Sequence, residues 1–174
     1  MNAMTQTKTT ESFIPTSDNT RLLRDAFGRF ATGVTIVTTM TKDGPVGITA
    51  NSFSAVSLDP ALVLWAPDKK SRRALHFTAA KNYVIHVLSA DQAELCWAVA
   101  KDANGLRGLD LATNAEGQPI IDGCLARFEC TQSQVVDAGD HTIILGQVDR
   151  ATIGDDQDAL TFFKGQAGTI SLQF

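Results

Sequence analysis

Cysteine is scarce in this sequence: 174 residues carry three, Cys96, Cys124 and Cys130. An odd number at irregular spacing excludes a disulfide framework and does not match a zinc-ligand pattern, so buried thiols are expected. The three histidines, His76, His86 and His141, are equally scattered and form no HExxH-like pair. No metal site is expected. Basic residues are outnumbered, with fifteen Lys and Arg against nineteen Asp and Glu, a formal charge of -4. That balance speaks against nucleic acid as a partner. Apolar runs stay well short of the roughly 20 residues that a spanning helix requires. The N-terminal "MNAMTQTKTTESF" is too polar for a secretory core, so no membrane association and a cytoplasmic location are expected. Glycine motifs for phosphate are missing too, since neither GxGxxG nor GxxxxGK(S/T) occurs. Rossmann and P-loop folds thereby lose their main support.

The apolar content of 44% and charged content of 20% are those of one soluble globular domain. Residues 1 to about 19, rich in Thr, Ser, Asn and Gln, read as a flexible tail, and residues 20–174 as the domain. "TRLLRDAFGRFA" spaces Leu22, Leu23, Ala26, Phe27 and Phe30 as an amphipathic helix, with Thr20 or Asp18 as its cap. "GVTIVTTM", the turn "KDGP" and "VGITANSF" predict a hairpin. "ALVLWA" follows as a buried strand, "SRRALHFTAA" as a short helix and "NYVIHVLS" as a strand. In "ADQAELCWAVAK" the residues Ala93, Cys96, Trp97 and Ala100 share one helical face. Asp102 to Asp122 lacks a firm period and predicts a long surface excursion. Two long strands joined at Gly139-Asp140, a short strand "DALTFFKG" and a tail "GTISLQF" complete the chain. Many strands, few helices and no βαβ alternation favour an antiparallel β-barrel.

Three concentrations of polar residues stand out. In "GITANSFSAVSL" the small residues Thr49, Asn51, Ser52 and Ser54 would let a flat ligand approach the backbone; a Thr/Ser-rich strand at a barrel rim explains the pattern equally well. In "KKSRRA" the hydroxyl of Ser71, at the expected start of a helix, sits among Lys69, Lys70, Arg72 and Arg73. That set suits a phosphate monoester, and a solvated basic cap is the plainer alternative. In "AGDHTIILG" His141 opens a strand just after a turn, placed either to contact a ligand ring or simply to face solvent.

The blocks "FGRFATGVTIVTT", "GITANSFSAVSLDPALVLWA", "KKSRRAL", "YVIHVLSADQAELCWAVA" and "GDHTIILGQV" follow one another as in the flavin reductase-like family, which the chain resembles from about Leu22 to Gly165. The resemblance implies a mainly β fold, an FMN-binding split β-barrel of Greek-key antiparallel type with peripheral α-helices, as a homodimer. It further implies that Thr49, Ala50, Asn51, Ser52 and Phe53 line the isoalloxazine, largely through backbone groups, with Thr35 and Ser54 as secondary contacts. Lys70, Ser71 and Arg72 would hold the flavin phosphate. His141 would be the catalytic-site histidine, beside the nicotinamide or the dimethylbenzene side of the flavin. His86 stands where relatives commonly carry Asn and is expected to be a barrel or interface residue; Gln166 stands where a terminal aromatic is frequent. The implied activity is hydride transfer from NADH or NADPH to FMN or FAD, for a flavin-dependent monooxygenase component that receives the reduced flavin. A non-catalytic FMN carrier fed by a protein partner is the alternative.

Overall fold

The computed structural model describes residues 10, 12–102 and 104–171. Most of the expected N-terminal tail, residues 1–9 and 11, lies outside these. A 3-10 turn at Ser17–Asn19 leads into α1 (Thr20–Phe27), so Asn19, rather than Thr20 or Asp18, occupies the cap position. Twelve strands and two further helices follow among the described residues: β1 (Thr32–Gly33), β2 (Thr35–Thr41), β3 (Gly44–Ala50), β4 (Ser54–Leu58), β5 (Ala61–Trp65), α2 (Ala74–Thr78), β6 (Asn82–Val87), α3 (Ala93–Lys101), β7 (Ala112–Thr113), β8 (Pro119–Ile120), β9 (Ala126–Ala138), β10 (His141–Ile153), β11 (Ala159–Phe163) and β12 (Gln166–Ile170).

Seven strands form one antiparallel sheet in the order β3-β2-β6-β9-β10-β5-β4. Its two edge strands, β3 and β4, are consecutive in the chain and joined by residues 51–53 alone. The four steps from Ala50 to Ser54 span at most about 14 Å. A flat seven-stranded sheet would hold its edges about 29 Å apart. The sheet must therefore curl into a barrel, and because β3 and β4 share no ladder, the barrel is split at that link. The expected split barrel is the observed one. A separate sheet, β1-β11-β12, stands beside it.

The barrel interior holds Val37, Trp65, Phe77, Tyr83, Ile85 and Ile144. A second core, with Val34, Ile36, Leu88, Cys96, Val99, Leu106 and Ile121, lies outside the barrel wall under α3. Strand β2 serves both, Val37 facing one and Ile36 the other, so it is buried on both faces and its sequence runs apolar and Thr-rich without alternation. Gly146 on β10 is required here: a Cβ would lie 2.1 Å from the Tyr83 hydroxyl oxygen. All three cysteines are buried, as expected.

Two expectations need adjustment. The 102–122 segment is mostly exposed, as expected of a surface excursion, but it is anchored in the core: Leu106, Ile120 and Ile121 are buried, and Thr38 Oγ1 donates to the Pro119 carbonyl at 2.7 Å. Its few apolar side chains are too widely spaced to show a period. The C-terminal "tail" is in part β12, paired with β11 across a turn in which Lys164 and Gly165 take φ 50° and 78°.

His86 is a barrel residue, wholly buried. Its Nδ1–H donates to the Ile36 carbonyl at 3.1 Å, and its Nε2 accepts the Ile121 N–H at 3.1 Å, which ties β2 to the segment outside the wall. The bond accepted by Nε2 needs the neutral ring. Burial pushes its pKa from 6.5 down to about 3. The folded state thus refuses a proton that the unfolded chain accepts below pH 6.5, and stability falls as pH drops from 6.5 towards 3. The expected contribution is about 1.4 kcal/mol per pH unit in that window. Urea midpoints measured against pH should show this slope, flattened in His86→Asn; an unchanged slope in the variant would refute it.

Candidate active site

The stretch "GITANSFSAVSL", which its composition predicts as one strand, is two strands and an elbow. β3 ends at Ala50, β4 begins at Ser54, and residues 51–53 turn between them across the split. The small hydroxyls hold the elbow in place. Thr35 Oγ1 donates to the Ala50 carbonyl at 2.7 Å, and Thr49 Oγ1 to the Cys96 carbonyl at 3.0 Å. Ser52 Oγ donates to the Ala66 carbonyl at 3.2 Å and accepts the Ala66 N–H at 2.9 Å, imitating a ladder pair across the gap. Phe53 points inward and stacks on Phe128, ring centroids 5.6 Å apart. With these side chains committed to the framework, the elbow presents backbone. Among the described residues the N–H groups of Asn51, Ser52 and Phe53 have no backbone partner. Ala50 packs on the barrel core, and Ser54, at the start of β4, is exposed and donates to the Ala55 carbonyl.

The basic segment starts at Lys69, two residues after Pro67. Asp68 folds it: its carboxylate accepts the Lys70 N–H at 2.7 Å and its carbonyl the Ser71 N–H at 3.0 Å. Helix α2 begins only at Ala74, so Ser71 lies in the lead-in turn rather than at a helix start, its Oγ accepting the Arg73 N–H at 3.3 Å. This corrects the expectation that Ser71 stands at the start of a helix. The four cations divide cleanly. Lys69 Nζ donates to Asp137 at 2.8 Å and to the Gly139 carbonyl at 2.6 Å. Arg73 turns inward and donates to the carbonyls of Gly47, Val99 and Ala100, the last two in the final turn of α3, whose carbonyls lack helical partners. Lys70 and Arg72 remain exposed and, among the described residues, enter no salt bridge.

The third cluster meets the second. His141 bridges Asp68 as an antiparallel pair, the Thr142 N–H donates to the Pro67 carbonyl at 3.1 Å, and the Lys69 N–H donates to the Asp140 carbonyl at 3.0 Å. His141 Nδ1 lies 2.8 Å from Asp140 Oδ1, and its ring is half-exposed. The hydrogen bond and charge of His141 hold the Asp140 carboxyl below its ordinary range. Elbow, basic turn and histidine are therefore strung along the few residues that follow β5.

A cavity of about 180 Å³ opens beside the elbow, with Thr49, Asn51, Cys96, Trp97 and Phe162 in its wall. Trp97 and Phe162 were not singled out from the sequence as ligand contacts. Trp97 shares a helical face with Cys96 and so reads as core; the structure leaves it 42% exposed, because α3 turns that edge towards the cavity. A 410 Å³ cavity between α2 and β2 touches none of the candidate residues. Of the candidate residues only Thr49 and Asn51 line this cavity; Lys70, Ser71, Arg72 and His141 lie on and beside the basic turn, which Ser52 ties to the elbow through Ala66. The nearest thiol, Cys96, is pushed up by burial and therefore stays protonated. Such a set of backbone donors, cations, imidazole and aromatic walls binds and orients a flat anionic molecule, and leaves electron chemistry to that molecule. The residues present fit a flavin.

Comparison with known proteins agrees. The profile described as "Flavin reductase like domain" matches residues 27–171. The FMN reductase (NADH) SmoA of Agrobacterium fabrum is 50% identical over 92% of this chain and 92% of its own. The reductase subunit HsaB of a flavin-dependent monooxygenase from Rhodococcus jostii is 35% identical over 84% of this chain and 75% of its own. The structure of the NADH:FAD oxidoreductase SgcE6 of Streptomyces globisporus, in complex with NAD and FAD fragments, superposes with a TM-score of 0.83 at 33% identity, covering 92% of this chain and 98% of that one. A split barrel with a backbone-lined elbow, a free cation pair and these relatives place the chain in the flavin reductase-like family.

Proposed function

We propose that this NAD(P)H:flavin oxidoreductase takes its hydride from NADH, delivers it to FMN or FAD, and passes the reduced flavin to a separate monooxygenase component. The observation that carries this reading is the division of "KKSRRA". Two cations build the framework, while Lys70 and Arg72, with Ser71 between them, stay available beside a backbone-lined elbow. That is a phosphate seat next to a ring seat. When bound, the flavin supplies the two-electron chemistry. The chain's part is to hold it: unpaired N–H groups at Asn51, Ser52 and Phe53 complement electron-rich ring edges, and Trp97 with Phe162 shields the groove from water. His141, fixed by Asp140 and paired with Asp68 at the basic turn, would orient the nicotinamide. A homodimer would cover the apolar side chains exposed on edge strand β4, Val56 at 47% and Leu58 at 97%. No helix among the described residues is long and apolar enough to cross a membrane.

Purified protein mixed with NADH and excess FMN should oxidise the nicotinamide, followed by absorbance, at a rate that depends on flavin. Tightly yellow protein with no NADH or NADPH oxidation would favour the carrier reading and defeat this one. Ser71→Ala with Arg72→Ala should weaken FMN about tenfold or more and riboflavin by less than about twofold, since only FMN bears the dianion. Arg73→Ala should instead lower stability by roughly 2–3 kcal/mol, by stranding carbonyls of α3 and β3, without discriminating between the two flavins. Equal losses of FMN and riboflavin in the Ser71/Arg72 variant would remove the phosphate assignment. His141→Ala should raise the NADH KM about tenfold and leave flavin affinity within about twofold; unaltered NADH kinetics would take His141 out of the site.

A further inference from the structure

Three carboxylates stand around the basic turn, and their partners differ. Asp137 pairs with Lys69 at 2.8 Å, and Asp140 with His141 at 2.8 Å. Asp68, exposed like Lys69 and Lys70 beside it, enters no salt bridge among the described residues. Its carboxylate bonds the main chain instead: Oδ1 accepts the Lys70 N–H at 2.7 Å, while the Asp68 carbonyl accepts the Ser71 N–H at 3.0 Å. A second turn follows directly, in which Ser71 Oγ accepts the Arg73 N–H at 3.3 Å and the Ser71 carbonyl accepts the Ala74 N–H at 3.0 Å. Side-chain acceptors of this kind fix turns that backbone preference alone leaves loose. Ser71 keeps its hydroxyl proton to donate. Asp68 also anchors the front of the turn, since it bridges to His141 between two main-chain bonds, Thr142 N–H to the Pro67 carbonyl at 3.1 Å and Lys69 N–H to the Asp140 carbonyl at 3.0 Å.

We infer that Asp68 is a positioning residue for the flavin phosphate: its hydrogen bond to the Lys70 N–H sets Lys70 and Ser71 in the seat, while its negative charge opposes the dianion that the seat receives. The inference rests on the reading of Lys70, Ser71 and Arg72 as that seat. Geometry and charge of the one carboxylate act in opposite senses. An amide oxygen would accept the Lys70 N–H equally well, so the turn itself does not require an anion. No cationic side chain among the described residues neutralises Asp68, and a phosphate held by the residues that follow it meets that charge as a solvent-screened repulsion. The seat is thereby shaped in advance and held loosely. That combination suits a protein that captures a flavin, reduces it and hands it on.

Titration of the full-length protein with oxidised FMN and with riboflavin, followed by flavin fluorescence or calorimetry, separates the two effects without turnover. Asp68→Asn keeps the acceptor and removes the charge; Asp68→Ala removes both. Asp68→Asn should bind FMN about threefold more tightly than the wild-type protein at low salt, the gain fading as salt rises. Asp68→Ala should bind FMN at least about fivefold more weakly than Asp68→Asn, a difference that isolates the hydrogen bond because both variants lack the charge. Riboflavin, without the dianion, should stay within about twofold of wild type in both. Equal FMN affinity in the two variants would overturn the positioning role, and FMN binding no tighter in Asp68→Asn than in wild type would overturn the opposing charge. A riboflavin loss matching the FMN loss in Asp68→Ala would make Asp68 a structural residue of the barrel and refute the inference as well. Failure of the seat itself reads differently: Ser71→Ala with Arg72→Ala would then not discriminate between FMN and riboflavin, whereas failure of this inference alone leaves that discrimination intact.

Discussion

The constraint on which this structure depends is the three-residue link between β3 and β4. A seven-stranded sheet that is joined edge to edge by so short a connection has to close, yet the same link prevents the last pair of strands from forming a ladder. Full closure would have consumed every backbone donor along the seam. The split leaves the donors of residues 51–53 facing a groove, where water or a ligand can satisfy them without the cost of burying an unpaired N–H. Ser52 stands in for the missing ladder by bonding both backbone groups of Ala66, so the seam is held without being zipped. The ring seat is thus a consequence of the barrel topology, and the hydroxyls of Thr35, Thr49 and Ser52 keep it open.

The same link sets the position of everything charged. Ser52 anchors on Ala66, and the chain runs from there through Pro67 into the basic turn, which in turn pairs with His141. Four cations in five residues would repel one another if all faced one way. Lys69 and Arg73 relieve this by turning to carboxylate and carbonyl oxygens on opposite sides of the turn, which rigidifies it. What remains outward is a pair of cations preorganised by the pair that is spent. A phosphate meeting them has little ordering cost left to pay.

Much of this was legible in the sequence, because much of it is local. β-branched runs, the "KDGP" and Gly139-Asp140 turns and the lack of βαβ alternation are enough to predict a barrel, and the strands fall where those patterns place them. Lys70, Ser71 and Arg72 could be picked out as a group, but composition does not distinguish Arg73 from Arg72. That difference is made by the α3 carbonyls, which are far away in sequence and reachable only once the fold exists. The elbow was hidden for a related reason: Ser52 and Ser54 have similar local preferences, and only the partner of Ser52 on β5's far end shows that the strand breaks between them. Leu106 and Ile121 gave no period since each fills a separate gap in a core assembled from β2, α3 and β11. Gln166 and its neighbours lack the alternating burial that marks a strand because β12 is exposed throughout.

The placement of the titratable groups accords with a site that leaves chemistry to its ligand. His86 is held neutral inside the wall, where burial disfavours a charge and protonation of Nε2 would break the bond it accepts from Ile121. Burial pushes the thiols up as well, Cys124 to about 11 and Cys130 to about 12. Thiols of that kind are the least nucleophilic and the slowest to oxidise, an advantage in a protein whose ligand cycles through a reduced form that reacts with oxygen. Of the described histidines and cysteines, His141 alone combines partial exposure with a side-chain hydrogen bond to a carboxylate, beside the basic turn. The protein therefore contributes orientation, charge complement and exclusion of water.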